Sequence, residues 1–318
     1  MTRTQESLLD PDLDADRLQP DPEADALLVG AVDLHVHPGP SPFPRRIGIL
    51  DAARDAADAG FAAMVVKSHH LSMQTDVLAL REAGLAELPI EVYSGIALNR
   101  TVGGLNPYAV ELVLGLGGRV VWFPTISSPA HIDFHHVHND SKFPTSVLKL
   151  REHEPLPVLD ENGKLSAAAH EILEIIASEE AILNAGHSAA EVTDVLVPAA
   201  RAAGIERIVI SHPTFIVGAS AQRCGEWARQ GAMIEHCLAL AVNRAQSPLT
   251  HEALQPYLDA CGVGNTIFSS DLGQAGNALP VTGYRRMARR LLDHRVPADD
   301  IRAMFGGNAK KLLARGDS

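Results

Sequence analysis

The chain has 318 residues, of which 46% are hydrophobic and 21% charged, the composition of a globular protein long enough to bury one barrel or two smaller domains. A formal net charge of -12 argues against a nucleic-acid partner, since an acidic surface repels phosphate backbones. No apolar segment approaches the roughly twenty residues of a membrane span, so the expected partner is a small-molecule substrate, with no nucleic acid and no membrane.

The start, Met1-Thr2-Arg3-Thr4-Gln5-Glu6, has no apolar signal core, and the cytoplasm is the expected compartment. Cys224, Cys237 and Cys261 lack Cys-x-x-Cys spacing, so they are expected to be reduced and buried, not paired or on zinc knuckles. Residues 1-28 are rich in Asp and Pro and poor in large apolar groups, an acidic N-terminal arm with at most one helical turn.

From residue 29 a single catalytic domain is expected to run to 318. Ala31-Val32-Asp33-Leu34-His35-Val36-His37 reads as a strand ending in the turn Pro38-Gly39-Pro40. Alternation turns both imidazoles to the same face, and two neutral histidines converging on one point make a metal site. Ile47, Leu50, Ala53 and Ala57 then give a helical stripe that stops at Gly60, and Phe61 to Val66 form a strand closing on Lys67-Ser68-His69-His70. Helices at 73-83 and 107-116 lead to strands at 90-99 and 119-125, a repeat of about thirty residues that fits a parallel α/β fold. The rhythm breaks at an excursion of about 125-165 that contains His131, His135, His136 and His138, expected as a lid or solvated face.

It resumes with a helix at 166-178 and strands ending at His187, at His212-Pro213, at Glu235-His236-Cys237 and at Asp271. Eight strand signals separated by helices predict a closed (β/α)8 TIM barrel, with a doubly wound open sheet as the alternative. Against the open sheet, no Gly-rich phosphate loop follows the first strand, and Gly115-Leu116-Gly117-Gly118 suits a helix C-terminus. The Arg285-Arg286 and Arg289-Arg290 pairs are expected to face solvent. A symmetric homo-oligomer is expected from the acidic arm and apolar helices.

Ligand-type residues at the ends of several strands point to a site above the barrel. The set His35-Val36-His37, His187 in Gly-His-Ser, His212 in Ser-His-Pro and Asp271 in Ser-Ser-Asp resembles the amidohydrolase superfamily of metal-dependent TIM-barrel hydrolases. Gly307-Asn308-Ala309 is similar to that superfamily's closing Asn-Pro-Ala, while Val66-Lys67-Ser68-His69 and Gly103-Gly104-Leu105-Asn106-Pro107 resemble an uncharacterised branch. The resemblance implies one or two divalent ions, zinc first with manganese or iron as alternatives, held by His35, His37, Lys67, His187, His212 and Asp271. It implies Asp271 as general base and His212 as oxyanion partner. One departure stands out. Many members carry a carboxylated lysine on the fourth strand, where this chain has Trp122-Phe123-Pro124, so the lysine on offer is Lys67 of the second strand, either as a bridging carbamate or as an ammonium.

The activity so implied is hydrolysis of an amide, cyclic amide, ester or lactone. A decarboxylase or hydratase of the same superfamily is the first alternative, and a phosphoesterase or a non-catalytic barrel comes after it. Glu235 and His236 could support the ligands or simply pack or cap. Asn99 and Asn106 are candidate substrate donors, Trp122 with Phe123 a candidate pocket wall, and His153, His170, His251 and His294 are expected at the surface.

Overall fold

The computed structural model describes residue 19 and residues 21-138, 146-152, 154-242 and 249-314. Parallel strands alternate with helices throughout. The strands are β1 (Val32–Val36), β2 (Ala63–Val66), β3 (Glu91–Tyr93), β4 (Gly95–Ala97), β5 (Val120–Trp122), β6 (Ile182–Asn184), β7 (Ile208–Ser211), β8 (Ala232–Cys237) and β9 (Thr266–Ser269). They pair in chain order, β1-β2-β3 and then β4 through β9. The backbone N–H of Asp271 donates to His35 O at 2.7 Å and that of His37 to Leu272 O at 2.8 Å, so the last stave returns to the first and the barrel closes. The expected TIM barrel is thereby observed.

β3 and β4 are one stave broken at Ser94, whose hydroxyl donates to Val66 O at 2.8 Å. Gly95 follows because the neighbouring strand comes too close for a side chain: a Cβ there would lie 1.8 Å from Val120 O.

Alternation divides the residues into two layers. Val32, Leu34, Val65, Ala97, Val120, Trp122, Ile182, Val209 and Ile267 fill the interior, closed at the bottom by Ala309 and Leu312. Met64, Val66, Val92 and Phe268, with Ile96, Val121, Leu183, Ile208 and Ile234, face the outer helices. Those helices are α1 (Pro22–Asp25), α2 (Ile49–Asp58), α3 (Gln74–Glu82), α4 (Pro107–Gly115), α5 (Pro129–His138), α6 (Ala167–Ser178), α7 (Ala190–Ala202), α8 (Ala221–Arg229), α9 (Ala239–Val242), α10 (His251–Cys261), α11 (Pro280–Asp293), α12 (Ala298–Arg302) and α13 (Asn308–Leu313).

Two sequence expectations change at the N-terminal side. Arm residues 1-18 and 20 lie outside the described residues, but α1 and the turn after it dock on the barrel, with Ala24, Leu27 and Leu28 buried. The docking draws in the arginines expected to face solvent. Arg289 donates to Asp21 and Glu23, and Arg285 Nε donates to Asp25 Oδ1 at 2.5 Å. Among the acidic residues of this stretch, Asp21, Glu23 and Asp25 are partners of α11. The excursion is also partly regular, since α5 occupies its first part.

Gly95→Ala is expected to destabilise the fold by about 3 kcal/mol or more, because the clash is with backbone and neither strand can retreat from the ladder. Urea unfolding checks this; an unchanged midpoint would mean that the β3/β4 joint yields.

Candidate metal centre

The first two histidines owe their direction to an irregularity in β1. Its register with β2 shifts between Asp33 and Val36. Val32 and Leu34 belong to the interior, whereas Val36 packs in the outer layer, so the inward phase passes to His35 and His37. The Asp33 carboxylate holds the irregularity by accepting from the N–H of His35 at 3.1 Å and of Ser270 at 2.9 Å. Burial pushes Asp33 up to about 6.

On β8 the same alternation points Glu235 and Cys237 inward. His236 turns outward against Tyr257 and Phe268, its ring 5.8 and 5.9 Å from theirs. Three further ligand-type residues sit just past strand ends. His212 and Asp271 adopt φ of 53° and 52°, a left-handed conformation costly for side-chain-bearing residues and one that collects at functional sites. His187 follows Gly186, where a Cβ would meet Phe123 O at 2.2 Å.

The outcome is a closed ring of imidazoles. Centroids are 5.1 Å apart for His35 and His37, 4.8 for His37 and His69, 5.8 for His69 and His187, 5.3 for His187 and His212, and 5.4 for His212 and His35. Two imidazolium ions 5 Å apart would repel by about 3 kcal/mol even at an effective dielectric constant of 20. Protonating two neighbours of the ring at once is therefore disfavoured. Burial holds His37 at about 3 and His212 at about 4, with Asp271 opposing in both, and it lowers His69 and His187 well below the usual imidazole range.

Hydrogen bonds then fix which nitrogen carries the proton. His35 Nδ1 faces Glu235 Oε2 at 3.3 Å and His37 Nδ1 faces Lys67 O at 3.1 Å, both acceptors, so each Nδ1 donates. Each Nε2 is left with a lone pair, and both lone pairs are aimed at a carboxylate: Asp271 Oδ1 lies 3.0 Å from His37 Nε2 and 3.4 Å from His35 Nε2. Lys67 Nζ donates to His35 Nε2 at 3.0 Å and lies 5.2 Å from the Trp122 ring centroid. Burial brings Lys67 down to about 8, with Asp271 and Glu235 opposing. Glu235 is held at about 2 against the pull of burial by His35 and by the hydroxyls of Ser211 and Ser269. Burial raises Asp271, and the positive charge that His35, His37 and His212 carry when protonated holds it below the usual carboxylate range.

Of the residues expected at the site, His35, His37, Lys67, His187, His212 and Asp271 converge. Four more join them. His69 enters the ring, with Nδ1 2.8 Å from Thr125 Oγ1. His131, expected on a solvated or lid face, is only 8% exposed; it stacks on His187 at 4.9 Å with the two Nδ1 atoms 2.9 Å apart. Its signal in the sequence was its place in the first turn of a helix opened by Pro129, directly after a barrel strand. Glu235 orients His35, and Cys237 Sγ lies 3.9 Å from His35 Nδ1 and 4.0 Å from His212 Nε2, both legible as period-two partners on β8.

Other expectations are corrected. Asn99 is tied up in structure, donating to His69 O and Thr125 Oγ1 and accepting from the N–H groups of Thr125 and Ser127. Asn106 caps α4 by accepting from Ala109 N–H. Trp122 underlies Lys67, but Phe123 faces the outer layer. Two expectations hold: His251 and His294 lie at the surface, half-buried and exposed, stacked with centroids 3.6 Å apart, and all three cysteines are free and buried. His153 and the side chain of His138 lie outside the described residues.

Among the described residues, two groups combine three donors whose ligand atoms all lie within 4.8 Å of one another: His35, His37 and Asp271, and His35, His212 and Cys237. The first is the better fit to a cation. Its separations of 3.0 and 3.4 Å compare with about 3.4 Å between two donor atoms on a tetrahedral ion with bonds of about 2.0–2.1 Å, and all three facing atoms are electron-rich.

A closed barrel with a histidine-and-aspartate rim at the carboxyl ends of its strands defines a TIM-barrel protein with a candidate metal centre. The chain belongs to the family of unknown function DUF6282, which matches residues 30–235. No curated protein matches it. Among solved structures it is similar to an amidohydrolase from Pseudomonas aeruginosa, with TM-score 0.63, 11% identity, and 92% of this chain and 98% of that one covered. It is also similar to a probable dipeptidase from Pseudomonas aeruginosa, with TM-score 0.61, 12% identity, and 91% and 96% covered. A putative 2-pyrone-4,6-dicarboxylic acid hydrolase from Pseudomonas putida gives TM-score 0.54, 16% identity, and 90% and 97% covered. At these identities the likeness is one of fold.

The neutral imidazoles predict an acid response of the metal-free protein. The folded values of about 3 for His37 and about 4 for His212 and His236 lie below 6.5, so protons favour the unfolded chain. Stability is full above about pH 6.5 and lost as pH falls towards 4; Asp33, raised to about 6, works the other way but is one group against three. In the presence of chelator, Tm should be flat from pH 8 to 7 and decline steadily below 6.5. A Tm unchanged down to pH 4.5 would show the ring to be solvated.

Proposed function

We propose that this chain is a metal-dependent hydrolase of a small-molecule amide, cyclic amide, ester or lactone. The observation that carries it is the pair of Nε2 lone pairs of His35 and His37 directed at Asp271 Oδ1. Lys67 Nζ relieves His35 Nε2, but the His37 Nε2 lone pair still faces Asp271 Oδ1 in a buried site, a cost the fold accepts where a ligand offsets it.

His35, His37 and Asp271 would hold one divalent ion, zinc first by its preference for nitrogen donors, with manganese or iron as alternatives. His187 and His212, with His131 beside His187, are placed either for a second ion or to handle protons. Lys67 would serve a two-ion site as a bridging carbamate and a one-ion site as an ammonium facing an anion. When bound, the ion supplies Lewis acidity to water and to the substrate carbonyl.

The chain's own groups do the rest. Asp271 stays ionised across the working pH range and its second oxygen, Oδ2, lies 3.9 Å from His212 Nδ1, so it can accept the proton of an attacking water. His212 and Lys67 flank the place where negative charge develops on the substrate oxygen, and burial strengthens both interactions. Glu235 and the carbonyl of Lys67 keep the two β1 imidazoles in the ligating tautomer. The hydrolase names of the structural neighbours support the same reaction class.

Protein purified without chelator should carry one or two zinc, manganese or iron ions per chain by elemental analysis, and His35→Ala/His37→Ala should lose them; retained metal would overturn the ligand assignment. Two ions would make Lys67 the carbamate bridge. On whichever member of a lactone, cyclic-amide and N-acyl amino acid panel is turned over, Asp271→Asn should lower kcat by about 10²–10⁴-fold; an undiminished kcat would remove Asp271 as the base.

A further inference from the structure

The loop after β1 carries a half-buried cation, Arg45, that has no hydrogen-bond or ion-pair partner among the described residues. Residues 38-48 fold back on themselves, with Gly39 N–H donating to Ile47 O at 2.8 Å. They are stitched to the segment that follows Asp271: Arg46 N–H donates to Gly273 O at 2.9 Å, Ala275 N–H to Pro44 O at 3.0 Å, and Arg46 Nη1 to Asn277 O at 2.7 Å. Arg45 sits in the middle of this stitching, its backbone paired with Gln274.

The two neighbouring arginines differ in what they reach. Arg46 is occupied by Asn277. Arg45 is half-buried, its Nε is fully buried without a hydrogen bond, and its guanidinium has neither a hydrogen bond nor an ion pair among the described residues. It lies close enough to the ring for its charge to be felt at His37 and Asp271, yet no carboxylate comes within 4.0 Å of it. Asp271 is already engaged by His37 and His35, and Glu235 by His35 and Ser211. In a chain of net charge -12, with acidic groups in excess, an arginine left unpaired at the mouth of a site is reserved for something from outside.

We propose that Arg45 is the specificity residue of this site and binds a carboxylate of the substrate beside the atoms that react. The inference rests on reading the rim as a hydrolase site. A planar fork with parallel N–H donors matches a carboxylate in bidentate fashion, and partial burial strengthens the pair. Counted at Arg45 alone, apart from the charge of Lys67 and of a bound ion at the ring, the site favours a monoanion. Arg45 brings one positive charge to a place that Asp271 already shades, enough to balance one carboxylate but short of what a phosphate dianion needs. The substrate class is thus an amide, cyclic amide or lactone that bears a carboxylate near the scissile carbonyl. Pinning the loop to the segment after β9 fixes the fork relative to Asp271, so that binding the carboxylate also orients the carbonyl.

The test reads binding and leaves turnover aside. Metal-loaded protein is titrated calorimetrically with N-acetylglycine, with N-acetylglycinamide and with inorganic phosphate. The carboxylate should bind at least about tenfold more tightly than the amide and more tightly than phosphate. Arg45→Met should abolish that preference with metal content unchanged, and Arg54→Met, which removes the same charge from the exposed face of α2, should keep it. If the Met variant fails to fold or to load metal, Arg45→Lys reads the same preference and should reduce it, since the cation stays but the fork is lost. No saturable binding of N-acetylglycine, equal binding of acid and amide, tighter binding of phosphate, or a preference that survives at Arg45→Met would each overturn the proposal. Loss of hydrolytic activity across the whole panel alongside an Arg45-dependent carboxylate preference would sink the hydrolase reading and leave this one standing.

Discussion

The contact of His35 Nε2 and His37 Nε2 with Asp271 Oδ1 is the constraint around which the rest of the rim is arranged. It joins the first stave of the barrel to the segment after the last, next to the backbone bonds from Asp271 to His35 and from His37 to Leu272 that close the sheet. Closing the barrel and assembling the donor set are therefore one event. The tautomers are dictated from outside the contact, by Glu235 on β8 and by the carbonyl of Lys67 on β2. A substitution at Glu235 would leave all three donors in place and still spoil the site, because His35 could then turn its lone pair the wrong way.

Burial explains why so many histidines can sit together. In water five imidazoles at these spacings would titrate independently near neutrality. Enclosed, protonating His37, His69, His187 or His212 costs desolvation as well as repulsion from neighbours, and these imidazoles stay neutral and basic at nitrogen. The same low-dielectric surroundings lower the Lys67 ammonium to about 8, which keeps a fraction of it as free amine at neutral pH and makes either of its two states attainable.

How much of this could be read from the chain follows from the range of the interactions. His35 and His37 were legible because a local pattern, an apolar run ending in Pro38-Gly39-Pro40, marks a strand end. Alternation predicted that they share a face, but it could not say which face. The choice is made by the irregularity between Asp33 and Val36, held by Ser270 more than two hundred residues away. His187, His212 and Asp271 were legible for the same local reason. His131 was not, since its burial depends on α5 placing it against His187, and neither was the engagement of Arg285 and Arg289, which pair with residues 260 and more positions earlier. For residues 21-28 composition suggested an arm and the structure docks them on the barrel, because charge without a partner in sequence can have one in space.

Arg45 shows the limit of the same logic from the other side. An arginine in a Pro-rich loop carries no sequence signal, and its neighbour Arg46 looks identical until the partners of each are known. What separates them is the hydrogen-bond inventory of the folded state: Arg46 has an acceptor in Asn277 and Arg45 has none. The ring of histidines fixes what chemistry the site can do, but every barrel built this way shares that capacity. Selectivity has to come from groups that the fold positions and leaves unused. In this rim the catalytic carboxylates are already committed to histidines, and the uncommitted charge is positive, so the rim itself favours a substrate that brings a negative charge with it.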